Sequence, residues 1–201
     1  MKFFVSVVSH GHYEILKELE SLPGMSVLNE VELCVLDNVG EKKLKEWCFS
    51  NSITYLENSN PLGFGENNNI IFDYFTDNRD LKNEDFFLVV NPDVYVDFAS
   101  LVSLASYMNE YSVDLATANL FKDKELTIHD YSIRNFPTLM NFCSSLLTGI
   151  NPSIIDKHNC KEPLFVDWAS GSFLLFRAGH YKVLHGFDES FFMYCEDLDI
   201  C

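Results

Sequence analysis

The chain begins with an almost unbroken apolar run of strand length, Phe3-Phe4-Val5-Ser6-Val7-Val8. Ile15, Leu16, Leu19 and Leu22 then recur at helical spacing. The first pattern predicts a strand buried on both faces, the second a helix that Pro23-Gly24 stops. The alternation continues with a strand over residues 31–36, a helix over 41–49 and a strand over 53–56. A Gly- and Asn-rich loop leads into a helix from 68 to 75, and Phe86-Phe87-Leu88-Val89-Val90 is a fourth strand, apolar at every position. Strand and helix alternating in this way predict an α/β fold, Rossmann-like, with a mostly parallel central sheet and helices on both faces.

The second half is less regular. Residues 101–108 read as helix and 115–120 as strand, whereas 121–137 is a polar stretch without a period. It is expected to be a long surface loop, of the kind that often forms a lid or an acceptor site. A helix is predicted over 138–147, irregular chain over 151–163, and short strands over 165–168 and 172–176 around Gly171. No repeat or linker divides the 201 residues, so a single domain is expected.

Composition narrows the function. Hydrophobic residues make up 47% and charged residues 22% of the chain, which is a globular balance rather than a disordered one. The formal net charge of −16 argues against a nucleic-acid partner and against spread-out adhesion to anionic lipid, with Lys42, Lys43 and Lys45 the one local basic patch. An anionic substrate would therefore need a metal ion or backbone dipoles to bind. The apolar runs fall short of a membrane span, and Ser9-His10 interrupts the first before a signal-peptide core is complete. The expected location is cytoplasmic. There the six cysteines, in neither CxxC nor zinc spacing, are expected to be reduced and mostly buried.

In open parallel sheets, ligands bind beyond the carboxyl ends of the strands. Those exits carry Ser9-His10, Asp37-Asn38, the stretch 60–69 and Asn91-Pro92-Asp93. Polar residues begin loops in any case, which accounts for Ser9 and Asn38 equally well. Asp93, at the mouth of a wholly apolar strand, is a hard-oxygen ligand suited to Mg²⁺ or Mn²⁺ held together with substrate phosphates, although Asn91-Pro92-Asp93 is also a good type I turn. Gly63-Phe64-Gly65 lies before a helix and could offer N–H groups to a phosphate. It is neither a dinucleotide fingerprint nor a Walker loop, which removes the main support for an oxidoreductase or P-loop NTPase. At the carboxyl end, aromatic residues surround Asp188, Glu189, Glu196, Asp197 and Asp199. Partial desolvation there would raise a carboxyl pKa toward a general-base range, while acids are equally favoured in a first helical turn.

These segments, together with Ser9-His10-Gly11, Leu36-Asp37-Asn38, Asp167-Trp168-Ala169-Ser170-Gly171-Ser172-Phe173 and the run from Gly186 to Cys201, resemble the family-2 glycosyltransferases, and among them the bacterial rhamnosyltransferases of O-antigen and cell-surface polysaccharide synthesis. The order of the motifs matches over nearly the whole chain. The resemblance implies a GT-A fold, with a nucleotide-sugar-binding half over about residues 1–97 and an acceptor-binding half over about 98–201 that is incomplete at its carboxyl end. It implies inverting transfer, with dTDP-rhamnose as the donor, to a lipid-linked saccharide, and a protein peripheral at the cytoplasmic face of the inner membrane.

By resemblance, Ser9, His10, Asp37, Gly63, Phe64, Asn68, Asn91 and Asp93 would bind the nucleotide sugar, with Asp37 accepting from the base N–H. Asp93 would hold Mg²⁺ or Mn²⁺, Asn91 standing where the family's metal motif has its first Asp. Asp167, Trp168 and Glu196 would border the acceptor, and Asp197 would be the catalytic base. Trp168 could instead be ordinary core. Family members continue beyond Cys201, so Asp197 is expected on a frayed terminus. The competing expectations are a catalytically inactive remnant that retains nucleotide binding, and a nucleotidyl- or phosphotransferase on a related sheet.

Overall fold

The structure, a computed structural model, describes residues 1–136, 138–160 and 162–201. Pro137, where the predicted surface loop ends, and the side chain of Cys143, one of the six predicted thiols, lie outside the described residues. Four parallel strands, β1 (Phe3–Ser9), β2 (Val31–Asp37), β3 (Thr54–Glu57) and β4 (Phe86–Val90), form the first part of a six-stranded sheet. From the second half come β5 (Leu115–Ala116) and β8 (Phe173–Arg177), giving the order β3-β2-β1-β4-β8-β5 with β8 antiparallel to both neighbours. A separate two-stranded ladder pairs β6 (Ile133–Arg134) with β7 (Trp168–Ala169).

Residues alternate between the two faces of this sheet, and both faces are covered. Phe3, Val5 and Val7 join Val35, Leu88 and Leu175 in one core. Against it pack α1 (Tyr13–Leu19), α2 (Ser21–Ser26), α3 (Lys42–Ser50) and α5 (Phe98–Tyr111). Phe4, Leu36, Phe87 and Phe176 face the other way, onto α4 (Phe64–Asn78), α7 (Ala178–Val183) and the carboxyl-terminal α8 (Glu196–Ile200). Burial on both faces is why the strands read as continuous apolar runs rather than as alternation. The second core is largely aromatic, with Phe72 and Tyr181 4.6 Å apart and Phe72 edge-on to Phe87 at 5.0 Å.

Several boundaries differ from the sequence expectation. The first helix ends at Leu19, where Glu20 turns left-handed, and α2 then runs through Pro23-Gly24. Pro23 is tolerated because it falls in a first turn, where its missing N–H has no helical acceptor to lose. The predicted strand over 115–120 is paired only at Leu115–Ala116. Helix α4 starts at Phe64, not Asn68, so half of the predicted glycine- and asparagine-rich loop is helix. Composition misleads there because the asparagines also bond across the fold, which local sequence does not show. Asn68 Oδ1 accepts from the buried Ser6 hydroxyl at 2.6 Å, tying α4 to β1.

The carboxyl terminus is also not frayed. Ile200 is buried in the second core, and the Cys201 thiol lies 3.7 Å from the Ala169 carbonyl oxygen. The predicted thiol burial divides: Cys34 and Cys48 are buried, whereas Cys195 and Cys201 are exposed.

Candidate functional site

Strands β1, β2 and β4 run in register, so their carboxyl ends open on one edge of the sheet. Ser9 lies level with Asp37, and its carbonyl oxygen accepts from Asn38 N–H at 2.8 Å. The Ser9 side chain is buried and accepts from His12 N–H at 3.2 Å, while His10 is exposed beside it. Asn38 holds the next loop: its Oδ1 accepts from Leu62 N–H at 2.8 Å and from Asn58 at 2.9 Å, and Asn58 also donates to Asn67 at 2.6 Å. This Asn38-Asn58-Asn67 chain shapes the 58–63 loop. Sequence reading missed Asn58 and Asn67, because an asparagine-rich stretch reads simply as loop.

Asp37 is engaged within the protein. Its carboxylate is wholly buried and accepts from the N–H groups of Val39, Gly40 and Glu41 and from the Tyr55 hydroxyl at 2.9 Å. These four bonds take up about as many lone-pair sites as a carboxylate offers. Asp37 folds the 38–41 turn. Burial and the same carboxylate push the Tyr55 phenol well above its ordinary value.

At the end of β4, Asn91-Pro92-Asp93 forms the turn that was the bland alternative, with Val94 N–H donating to Asn91 O at 3.2 Å. The turn leaves Asp93 exposed, without a hydrogen bond from the described residues. Asp97 is taken as the cap of α5, accepting from Ser100 N–H at 2.9 Å. No group of three His, Cys, Asp or Glu stands close enough to hold a metal among the described residues. A single free carboxylate does not suit a resident ion. It does suit Mg²⁺ or Mn²⁺ arriving with a diphosphate, which supplies the remaining oxygens.

One turn joins this exit to the carboxyl-terminal acids. Ser172 O accepts from Asn91 N–H at 3.0 Å, and the preceding Gly171 N–H donates to Asp197 Oδ2 at 3.2 Å. Asp197 Oδ1 accepts from Leu198 N–H at 2.9 Å. Asp197 is half-buried and oriented by two backbone donors, with lone pairs to spare. Glu196 behaves differently. It is buried, its Oε2 has no partner, and desolvation raises its pKa from the ordinary 4.5, with Asp197 adding to the rise. Its carboxyl is turned into the protein. Both acids open α8, as the helix-start reading allowed.

The motif glycines turn out to be packing positions. A Cβ on Gly63 would lie 2.7 Å from Phe192 O, one on Gly65 2.7 Å from Phe187 Cβ, and one on Gly171 2.9 Å from the Phe64 ring. Phe64 in turn stacks edge-on against Phe187 at 5.8 Å. The expected donor-loop residues Gly63 and Phe64 pack α4 against the 186–192 segment and the Gly171 turn, while Asn68 ties it to β1. Sequence spacing gave no hint of this, since the partners are more than a hundred residues away.

On the acceptor side, Asp167 is exposed and holds Phe136 N–H at 2.7 Å. Trp168 is half-buried under the Arg134 guanidinium, 5.3 Å from the ring, and its indole N–H is buried without a partner among the described residues. Asp167 and Trp168 line a small cavity of ≈ 80 Å³ together with Thr117 and Cys201. The buried Lys157 ammonium pairs with Asp130 and donates to Ser132 at 3.0 Å, pinning the 151–163 segment to the predicted long loop just before β6.

No family model matches the chain. Rhamnosyltransferase WbbL of Escherichia coli is 34% identical over 199 residues, which are 98% of this chain and 75% of WbbL. An N-acetylglucosaminyl-diphospho-decaprenol L-rhamnosyltransferase of Mycobacterium tuberculosis is 31% identical over 124 residues, 58% of this chain and 40% of that protein. Among solved structures, S. aureus TarS 1-349 in complex with UDP superposes with a TM-score of 0.62 at 18% identity, over all of this chain and 54% of that one. The mannosyltransferase PcManGT of Pyrobaculum calidifontis, in complex with GDP-Man and Mn²⁺, gives 0.60 at 12% identity, over 99% of this chain and 50% of that one.

Proposed function

Since the chain belongs to the family-2 glycosyltransferases, in the bacterial rhamnosyltransferase branch that includes WbbL, and has their GT-A fold, we propose that it moves rhamnose from dTDP-rhamnose to a lipid-linked saccharide with inversion. The observation that carries the mechanism is the 170–172 turn, which touches Asn91 at one end and Asp197 at the other. It supports a reading in which donor diphosphate and acceptor hydroxyl meet across that turn.

In this reading Ser9, His10 and Asn91 border the nucleotide, and the 38–41 turn built by Asp37 forms the floor under the base. Asp197 takes the proton from the acceptor hydroxyl as its oxygen attacks the sugar carbon from the side opposite the diphosphate, which inverts that carbon. The Gly171 and Leu198 N–H groups fix the carboxylate so that a free lone pair meets the hydroxyl. Asp93 would hold Mg²⁺ or Mn²⁺, an ion that neutralises charge developing on the leaving diphosphate. Asp167 and Trp168 border the acceptor. A lipid-linked acceptor has its support in the diphospho-decaprenol named for the mycobacterial relative.

Transfer of radiolabelled rhamnose from dTDP-rhamnose in the presence of Mg²⁺ or Mn²⁺ tests the reading, alongside Asp93→Ala. Transfer by the wild type is expected, and the variant should lose the metal-dependent part of donor binding. Donor binding without any transfer would favour the inactive remnant, and nucleotidyl transfer without sugar transfer would favour the nucleotidyltransferase.

A further inference from the structure

Between β6 and β7 the chain forms a helix, α6 (Leu139–Thr148), whose described side chains show a reversed polarity. Asn141, Ser144 and Ser145 are half-buried, whereas Leu139, Met140, Leu146 and Leu147, which recur at a seven-residue interval, point outward. With Ile150 these apolar residues are between 70% and 86% exposed, and Phe165, on the returning chain, is 92% exposed. A helix that packs on a core does the opposite.

Charge picks out the same segment. Thirty acids are spread along the chain, yet residues 131–155 contain none, and 138–155 contain no charged residue of either sign. The net charge of −16 would repel most of the surface from anionic lipid, while this face carries no such penalty.

We infer that the outward face of α6 seats the protein on a lipid bilayer, with the helix lying in the plane of the interface and its leucines in the headgroup–acyl boundary. The β6–β7 ladder, in which Arg134 pairs with Trp168, fixes the root of this excursion, and Asp167 clamps Phe136 N–H at the same place. Lipid contact at α6 therefore brings the bilayer beside the residues proposed to border the acceptor. The docking stands on the exposed face, and its purpose rests on the lipid-linked acceptor.

The test is flotation of the 201-residue protein with neutral phosphatidylcholine–phosphatidylethanolamine vesicles, which needs neither donor nor acceptor, so its failure is separate from failure of the transfer reading. Wild type should float, and Leu146→Asp/Leu147→Asp should reduce the bound fraction at least about tenfold at unchanged thermal melting. Val27→Asp, at another exposed apolar position, should float like wild type. Because the face is uncharged, raising NaCl should leave binding nearly unchanged. Equal flotation of wild type and the double variant overturns the inference. So does a wild type that stays with the soluble fraction but forms dimers that the double variant does not, since the face would then join two copies of the chain.

Discussion

At the scale of single residues, the two adjacent acids at the start of α8 divide their roles by environment. Asp197 has two backbone donors and spare lone pairs, whereas Glu196 is buried with one oxygen unpartnered. Asp197→Asn keeps the shape but removes the proton acceptor. It is expected to lower transfer by about 10²-fold or more while donor affinity, read by calorimetry, stays within about twofold. Glu196→Gln should instead act on stability. Burial lets the folded state hold the Glu196 proton to a higher pH than the unfolded chain, whose carboxyl titrates near 4.5. Ionisation therefore weighs against the fold increasingly as pH rises above that value, and the penalty disappears below it. The melting temperature of Glu196→Gln should exceed that of wild type at about pH 7 and converge with it near pH 4. A gain that persisted unchanged in acid would contradict this assignment.

At the scale of elements, the site is held by the close approach of α4 to the 186–192 segment. Gly65→Ala would drive a methyl into Phe187 and should cost about 1–3 kcal/mol in urea unfolding, more than an exposed Gly→Ala change, which usually stabilises. How legible these elements were depended on where their determinants lie. The four parallel strands were legible because burial on both faces writes itself as an apolar run, and Asp197 was named because a motif surrounds it. Helix α4 started four residues early because Asn68 is held by Ser6, a partner sixty-two residues away that spacing along the chain does not reveal. Helix α7 was not anticipated: its buried face is Ala178 and Tyr181, too short a pattern to stand out. The saturation of Asp37 was equally invisible, since it depends on the 38–41 backbone folding back over the carboxylate and on Tyr55 from the neighbouring strand.

At the scale of the whole molecule, the acidic surface acts on a doubly anionic donor before any contact forms. Monovalent salt should screen that repulsion and raise the association rate of the nucleotide sugar, the reverse of the behaviour of a basic cleft. Stopped-flow binding at about 0.05 and 0.3 M KCl reads this directly, and a rate that fell with salt would show that local positive potential dominates. The sheet order also has a consequence for biosynthesis. The first four strands are complete at Val90, but the neighbour that covers the open edge of β4 begins at Phe173, roughly eighty residues later. At ordinary translation speeds that edge emerges from the ribosome on the order of ten seconds before its partner. It is wholly apolar, and a bare strand of that kind is a template for other chains. Vectorial synthesis thus leaves the nascent protein most vulnerable to aggregation just before β8 is made, and a ribosome that stalls between these two strands releases the chain in its stickiest form.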